Sequence, residues 1–459
     1  MQLSNDGRNA QGVRKLPTRG SVHDRVSRSK NGRIIALDKV LVMAVLDSKD
    51  SPWIFMTTHL TPRRERWLLL TLAGIQFTHI LDFMIMMPLG PQFTRLFDIS
   101  NAEFGVLVSA YTLSAGASGL LAATYVDRFS RKRLLLTMYT LFGLATLACG
   151  LAPGYGWLMA ARVAAGVFGG VLSALSQTIV ADVIPFERRG RAMGVVMTSF
   201  SVSTVAGVPL GLFLAAHLSW HAPFMAIAAM VGVLVLGAWQ TLPRLDAHLH
   251  HPERTSIWRS IGQVLVEPNH LKAFALSGVM MFAGFTVIPY ITIYLQSNAG
   301  MVPAQVPWVY LLGGTATLVT ARLFGRLTDR VGKVKMFRRL AVAVTVPLMA
   351  TTLSAGLPLA GLFLISTAFF TIMSGRMIPG MALISSAVEP RLRGTFMTLN
   401  SAVQSAAMGL AAMVGGAIIG RDAQGQLTHY WVAGVIGVVA SLISVWLAGR
   451  VHLHGAPQS

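Results

Sequence analysis

The chain of 459 residues is 53% hydrophobic and only 12% charged, with a mean hydropathy of +0.59. A soluble globular protein of that length cannot keep so much apolar surface dry, so the composition excludes one. The formal net charge of +20 does not indicate nucleic-acid binding, because the basic residues sit in short loops between apolar runs, as in the inward-facing loops of a membrane protein.

In chain order, residues 1–62 form a polar, basic extension with one apolar patch, Ile34 to Leu46, too short and interrupted to span a bilayer. No small-residue cleavage site follows an unbroken apolar core, so it is not read as a signal peptide. Disorder or a weak surface helix is expected there, or a mis-assigned start with translation beginning at Met56. About twenty predominantly apolar residues cross a bilayer as one helix, and roughly twelve such runs follow. Those of the first half are 66–90, 103–125, 133–152, 156–182, 191–215 and 222–242; those of the second are 271–296, 306–328, 338–356, 358–386, 395–419 and 428–449. The expected domains are a six-helix bundle over 63–242, a linker over 243–270, a second bundle over 271–451 and a tail over 452–459. Within the linker, Ile257, Trp258, Ile261 and Leu265 recur at helical spacing around Arg259, which suits a short helix on the membrane surface. His248, His250 and His251 have no acidic or Cys partner at ligand spacing, so no metal is expected. Cys149, the only cysteine, lies inside an apolar run and cannot form an intrachain disulfide.

Lys and Arg occupy alternate loops: Arg128/Arg131/Lys132/Arg133, Arg188/Arg189/Arg191, Arg244/Arg254/Arg259, Arg330/Lys333/Lys335/Arg338/Arg339 and Arg391/Arg393, with Arg95 and Arg421 as exceptions. That alternation makes the helix count even and places both termini in the cytoplasm. Trp67, Trp157, Trp220, Trp308 and Trp431 fall near run ends, where amphipathic rings prefer to sit.

A basic hairpin occurs twice, after the second and the eighth run. The first copy reads Asp127-Arg128-Phe129-Ser130-Arg131-Lys132-Arg133; the second spans Gly325 to Lys335 and contains Asp329, Arg330, Gly332 and Lys333. Likewise Arg189-Gly190-Arg191-Ala192-Met193 opens the fifth run and Arg393-Gly394-Thr395-Phe396-Met397 the eleventh. Duplicated halves are a frequent construction of secondary transporters. Over about 66–451 the chain resembles the major facilitator superfamily, whose hairpin motif follows its second and eighth helices. The second copy is nearly complete, whereas the first has Ala123 and Ser130 where the family usually has glycine. The resemblance implies an all-α integral membrane fold of twelve transmembrane helices in two six-helix pseudo-repeated bundles. It also implies that Asp127 latches the start of the eleventh helix and Asp329 the start of the fifth, with Arg128, Arg131, Arg330 and Lys333 completing each latch. A carboxylate meeting a helix N-terminus and a nearby Arg explains the contact electrostatically; the alternative is that these residues only set topology. Two further patches are similar to the superfamily's drug and metabolite antiporters. One is Arg162 with Gly166, Gly169 and Gly170. The other is Gly207-Val208-Pro209-Leu210-Gly211, where Val-Pro replaces the usual Gly-Pro. In Trp220-His221-Ala222-Pro223-Phe224, His stands where relatives often carry Arg.

Ionisable groups inside spanning helices are costly and so default to functional hypotheses. Counting ~1.5 Å per residue puts Asp82 about 24 Å from the basic start of the first run and Arg162 ~9 Å from the opposite face. Their depths nearly coincide, so they can face each other. They make either a proton-coupling switch, in which Asp82 takes up a proton when Arg162 moves away, or a permanent structural ion pair. His79, one turn before Asp82, joins a relay or packs as a polar residue. Arg376, just before Pro379, binds an anionic group, pairs with an acid or snorkels; Arg322 snorkels.

The candidate substrate cavity is assembled from Gln76, Tyr111, Tyr290, Tyr294, Arg376, Asn400 and Gln404. Asn400 and Gln404 share a helix face, as do Tyr290 and Tyr294, and Pro289 can loosen the seventh helix. Met84, Met86 and Met87 beside Asp82 suit an adaptable apolar surface. The reading is a secondary transporter of the bacterial inner membrane working by alternating access, exporting a small hydrophobic or amphipathic solute as protons enter. It needs no cofactor beyond the proton as coupling ion. The partners expected are the lipid bilayer and a small-molecule substrate, with no nucleic acid and no obligate protein partner. No nucleotide-binding loop and no hydrolase or metalloprotease signature is found in the sequence, so neither ATP-driven transport nor an enzyme is expected. Alternatives are a proton-coupled or facilitative importer of a sugar or other nutrient, and a non-transporting receptor on the same fold.

Overall fold

A computed structural model describes residues 61–184, 186–242 and 257–453. Residues 1–60, with the proposed start at Met56, and the linker histidines His248, His250 and His251 lie outside the described residues. Lipid offers a backbone no hydrogen-bond partner, so apolar runs of this length must close their own bonds as helices. The first six runs appear as α1 (Pro62–Ile85), α3 (Asn101–Tyr125), α4 (Arg131–Gly150), α5 (Tyr155–Val183), α6 and α7 (Phe186–Val202 and Val208–His217) and α8 (His221–Thr241). A short helix outside the expected runs, α2 (Gly90–Leu96), lies between α1 and α3. The linker contributes α9 (Ile257–Val266). The second half comprises α10 and α11 (Pro268–Phe285 and Ile291–Ser297), α12 (Val306–Val331), α13 and α14 (Lys333–Ala343 and Thr345–Thr352), α15 and α16 (Leu359–Gly375 and Met377–Ser385), α17 (Arg393–Ile418) and α18 (Tyr430–Ala448). A two-stranded antiparallel ribbon, β1 (Gly420–Arg421) with β2 (Leu427–Thr428), pairs Gly420 with Thr428 ahead of α18.

The helix breaks follow from proline chemistry. A proline lacks the N–H that would bond the carbonyl four residues earlier, and its ring crowds that carbonyl. Accordingly α10 ends at Phe285, four before Pro289; α13 ends at Ala343, four before Pro347; and α15 ends at Gly375, four before Pro379. Pro209 instead follows a π turn, Ser203–Gly207, that joins α6 to α7. The start of α3 is held by a capping box, in which Ser100 Oγ accepts from the Glu103 N–H and the Glu103 carboxylate accepts from the Ser100 N–H.

Ten helical stretches among the described residues are long and apolar enough to cross a membrane. Two of the twelve expected runs do not meet that measure. The second half of α12 carries Arg322, Arg326, Asp329 and Arg330, and the ninth run is interrupted at Val344. Large apolar side chains such as Phe213, Val233, Leu236, Val319 and Leu364 point outward, as a surface facing hydrocarbon requires. Trp67, Trp157, Trp308 and Trp431 are about half exposed near helix ends. Trp220 is not: it is buried edge-on against Phe93 and Phe97, so its aromatic neighbours rather than a lipid interface set its place.

Small residues let helices approach closely where no hydrophobic drive distinguishes lipid from protein. A side chain at Gly166 or Gly170 of α5 would run into the α3 backbone at Tyr111 or Ala115. The two halves meet along two diagonals: α3 packs against α17, and α12 against α7 and the π turn. At the end of the bundle away from the basic loops these contacts are sealed. Across the halves the Asn101 amide donates to the Ile419 carbonyl (3.0 Å); within the second half the Tyr290 hydroxyl donates to the Ala412 carbonyl (2.6 Å) and Asn298 bonds both the N–H and the carbonyl of Leu427.

Candidate transport cavity and buried ion pair

Between the halves lies a cavity of about 780 Å³, lined mainly by α3, α5 and α17. It runs from His79, Phe83 and Tyr111 at its inner end to Val126, Ile261 and Arg393 at the basic end of the bundle. There Ile261 brings α9 against the base of α17, while Trp258 on the same helix is 70% exposed. The inner end is narrow because Gly116 of α3 meets Ser405 of α17; a Cβ at Gly116 would lie 2.8 Å from that of Ser405.

Behind this inner end sits a buried ion pair. Asp82 Oδ2 accepts a hydrogen bond of 2.8 Å from Arg162 Nη1, and both side chains are essentially inaccessible. The guanidinium carbon stands 4.4 Å from the centre of the Tyr111 ring, a cation–π contact that places Tyr111 between Arg162 and the cavity. The pair is held by one hydrogen bond to the carboxylate rather than a fork. Among the described residues, Asp82 Oδ1, Arg162 Nε and Nη2, the Tyr111 hydroxyl and both ring nitrogens of His79 have no hydrogen-bond partner. His79 itself lines the cavity, its ring 6.0 Å from those of both Tyr111 and Phe142. Gly169 makes room for it, since a Cβ there would lie 2.6 Å from His79 Cδ2.

The Gly207–Gly211 segment lies over the same stretch of α1. Gly207 faces Leu81 and Gly211 faces Ile85, with 3.0 and 2.6 Å left for a Cβ, and Ser203 Oγ donates to the Phe77 carbonyl (3.1 Å). Pro209, four residues beyond Val205, leaves the carbonyl of the π turn without its helical donor. From the other half Gly314 of α12 packs onto Thr204 and Val205 of that turn.

Of the residues grouped as substrate cavity, Tyr111 alone lines the cavity. Tyr290 is turned into the sealed end, where its hydroxyl ties α17. The Tyr294 hydroxyl accepts from the Ala355 N–H (3.1 Å) and its ring packs on Tyr430. Gln404 donates to Ser277 Oγ (2.9 Å) on α10, and Gln76 and Asn400 are buried, each with a carbonyl oxygen that has no partner among the described residues. Arg376, at the α15–α16 break and 1% exposed, donates to the Met280 carbonyl (2.7 Å) and to Ser441 Oγ (3.2 Å). It therefore ties α10 to α18, and no carboxylate among the described residues pairs with it. The helices are as expected, but their rotation about their own axes turns these groups to neighbours within each half. The residues that do line the cavity include Ser173, Gln177, Thr398, Ser401 and Ser405, which the sequence reading passed over. Their signal was present as neutral polar groups three and four residues apart on the fourth and eleventh runs.

The hairpin residues divide. Arg131 is buried and its Nε donates to Asp182 Oδ2 (3.0 Å) at the end of α5. Lys333 donates to Ser386 Oγ (2.7 Å) at the end of α16. Arg128 and Arg330 are exposed; so is Asp329, which has no ion pair or hydrogen bond among the described residues. The side chain of Asp127 lies outside the described part. At the start of α6, Arg188 pairs with Glu65 (3.1 Å) of α1. Near the Arg95 exception, burial and Arg95 itself push Arg421 below the ordinary arginine range.

Comparison with known proteins agrees with this architecture. The chain is 26% identical over 382 residues to the MFS-type transporter YtbD of Bacillus subtilis (strain 168), covering 82% of this chain and 94% of that one. It is 25% identical to the MFS-type transporter YceJ of the same organism, covering 84% and 96%. In fold it is similar to a D-xylose-proton symporter (TM-score 0.67, 17% identity, 83% and 96% covered). It is also similar to a bacterial homologue of the human lysosomal transporter Spinster in an inward-facing, occupied conformation (TM-score 0.65, 16% identity, 86% and 98% covered). The Major Facilitator Superfamily model matches residues 72–375 and 273–458, and the chain belongs to that superfamily.

Proposed function

We propose that this multi-pass membrane transporter works by alternating access and exports a small hydrophobic or amphipathic solute in exchange for protons, across a bacterial inner membrane with both termini cytoplasmic. The observation that carries the proposal is the Asp82–Arg162 pair set directly behind the closed end of a cavity that opens at the other end. With the basic loops inside, the cavity faces the cytoplasm and the sealed Asn101–Ile419 end faces out. Asp329 is exposed and makes no ion pair or hydrogen bond among the described residues, which suits a latch released once the inner side has opened.

The coupling follows from the low dielectric around the pair. Asp82 stays ionised while Arg162 donates to it. A solute pressing on Tyr111 shifts the guanidinium stacked beneath that ring, and an uncompensated buried carboxylate then takes a proton on Oδ1 rather than remain charged. His79, three residues before Asp82 and at the cavity wall with its ring nitrogens buried, is the group through which that proton would enter or leave. Proton-coupled import of a sugar or other nutrient is the second reading, favoured by the hydroxyl groups on the cavity wall and by the similarity in fold to a D-xylose-proton symporter.

The test uses inside-out vesicles with an acid lumen, their proton gradient reported by a pH-sensitive dye. Solute added to the medium collapses the gradient with wild type and not with Asp82→Asn. Equal collapse with both forms removes Asp82 from the coupling. Solute movement in the direction of the protons replaces export by import.

A further inference from the structure

The cavity wall has an unusual charge inventory. Among the described residues no Asp or Glu lines it; Arg393 stands exposed at its mouth, and His79 is the other titratable nitrogen base on its surface. Asp82 is screened by Tyr111 and already engaged by Arg162. An organic cation entering this space would give up hydration with no carboxylate to meet it. Arg393 at the mouth would repel it beforehand.

What the wall does offer is neutral. Ser173 and Gln177 share one face of α5, and Thr398, Ser401 and Ser405 share one face of α17 across the cavity. The Thr398 hydroxyl donates back to the Gly394 carbonyl (3.1 Å) and keeps only its lone pairs. Ser173, Gln177, Ser401 and Ser405 make no hydrogen bond among the described residues, so each keeps both donor and acceptor capacity open to the cavity. Between the two rows the surface is apolar: Ala115, Gly119 and Ala123 make it smooth on α3, and Met193, Met397 and Met408 make it adaptable.

We infer that the solute held between these rows is an uncharged amphiphile with several hydroxyl groups on one edge and an apolar substituent on the other, the chemistry of an aryl glycoside, and that organic cations are excluded. This rests on reading the cavity as the transport site.

The test is equilibrium dialysis of p-nitrophenyl β-D-glucopyranoside against the full chain in lipid nanodiscs, with empty nanodiscs as background and tetraphenylphosphonium as competitor. The expected result is saturable glucoside binding that the cation does not displace. Gln177→Ala and Ser401→Ala each weaken it about three- to tenfold, the effect of losing one neutral hydrogen bond. Gln177→Asn, which keeps the amide, checks that the site still folds, and Gln177→Glu admits the cation. Absence of saturable glucoside binding, displacement by tetraphenylphosphonium, or indifference to both alanine variants overturns the inference. Exchange of labelled glucoside in proteoliposomes separates the two readings. Binding without exchange upholds the solute class and removes the transport reading, whereas exchange of the cation upholds transport and overturns the class.

Discussion

Arg131 at the start of α4 and Asp182 at the end of α5 form an ion pair of 3.0 Å, and the second half repeats the contact with different chemistry. Asp182 precedes Arg189 by seven residues, and Ser386 precedes Arg393 by the same interval. Lys333, at the hairpin position that matches Arg131, bonds Ser386 at 2.7 Å. The same two helices also hold their bundle's last helix. Lys132 donates to the Trp239 carbonyl (2.8 Å) at the end of α8, and Arg338 donates to the Val445 carbonyl (3.0 Å) near the end of α18. Cations at helix C-termini are favoured there by the exposed carbonyls.

Exchanging the chemistry of the two halves should change stability in opposite directions. Asp182→Asn should lower the unfolding free energy by about 1 kcal/mol, because Asp182 is more than one-third exposed and solvent screens the pair. Ser386→Asp should raise it by up to ~1 kcal/mol by giving Lys333 a carboxylate. Thermal unfolding of each variant beside wild type reads both shifts; equal shifts of the same sign would remove the equivalence.

Asp82→Asn should uncouple the protein and also weaken it. The variant leaves Arg162 buried without a carboxylate, which costs about 3–5 kcal/mol. Asp82→Asn combined with Arg162→Gln should recover much of that loss while remaining uncoupled. Denaturant unfolding paired with proton release during solute exchange distinguishes the two effects; a double variant no more stable than the single one would argue against the buried pair as the source.

The glycine face of α5 gives a steric prediction. Gly170→Ala drives a methyl into the Ala115 carbonyl of α3, a backbone atom that cannot rotate away, so a loss of about 1–3 kcal/mol is expected. Gly156→Ala, at the start of the same helix, meets nothing within 4 Å and should be neutral or better. Comparison of their unfolding midpoints suffices, and equal midpoints would refute the close packing.

The sealed end should loosen when the amide that bridges its two halves is removed. Asn101→Ala deletes the 3.0 Å bond to the Ile419 carbonyl, a loss of about 1 kcal/mol that shifts a two-state population roughly fivefold. With Cys149→Ser as background, maleimide labelling of Ile419→Cys should quicken by about that factor when Asn101→Ala is added. Unchanged labelling would remove Asn101 from the seal.

Much of the fold could be read directly from residue order. Apolar runs of bilayer length must be helical because lipid leaves their backbone no other partner, and prolines at 289, 347 and 379 mark where helices end because the missing N–H acts at a fixed distance along the chain. The duplicated hairpins were equally local. The ionisable groups Asp82 and Arg162 could be placed at matching depths, since rise per residue is constant. Which face each helix turns inward was decided only in three dimensions. Small residues such as Gly116, Gly166 and Gly170 set how closely and at what rotation helices meet, and that rotation sends Tyr290, Gln404 and Arg376 into contacts within the protein while opening Ser173, Gln177 and Ser401 to the cavity. A periodic pattern states that residues share a face; only the packed neighbour determines what that face meets.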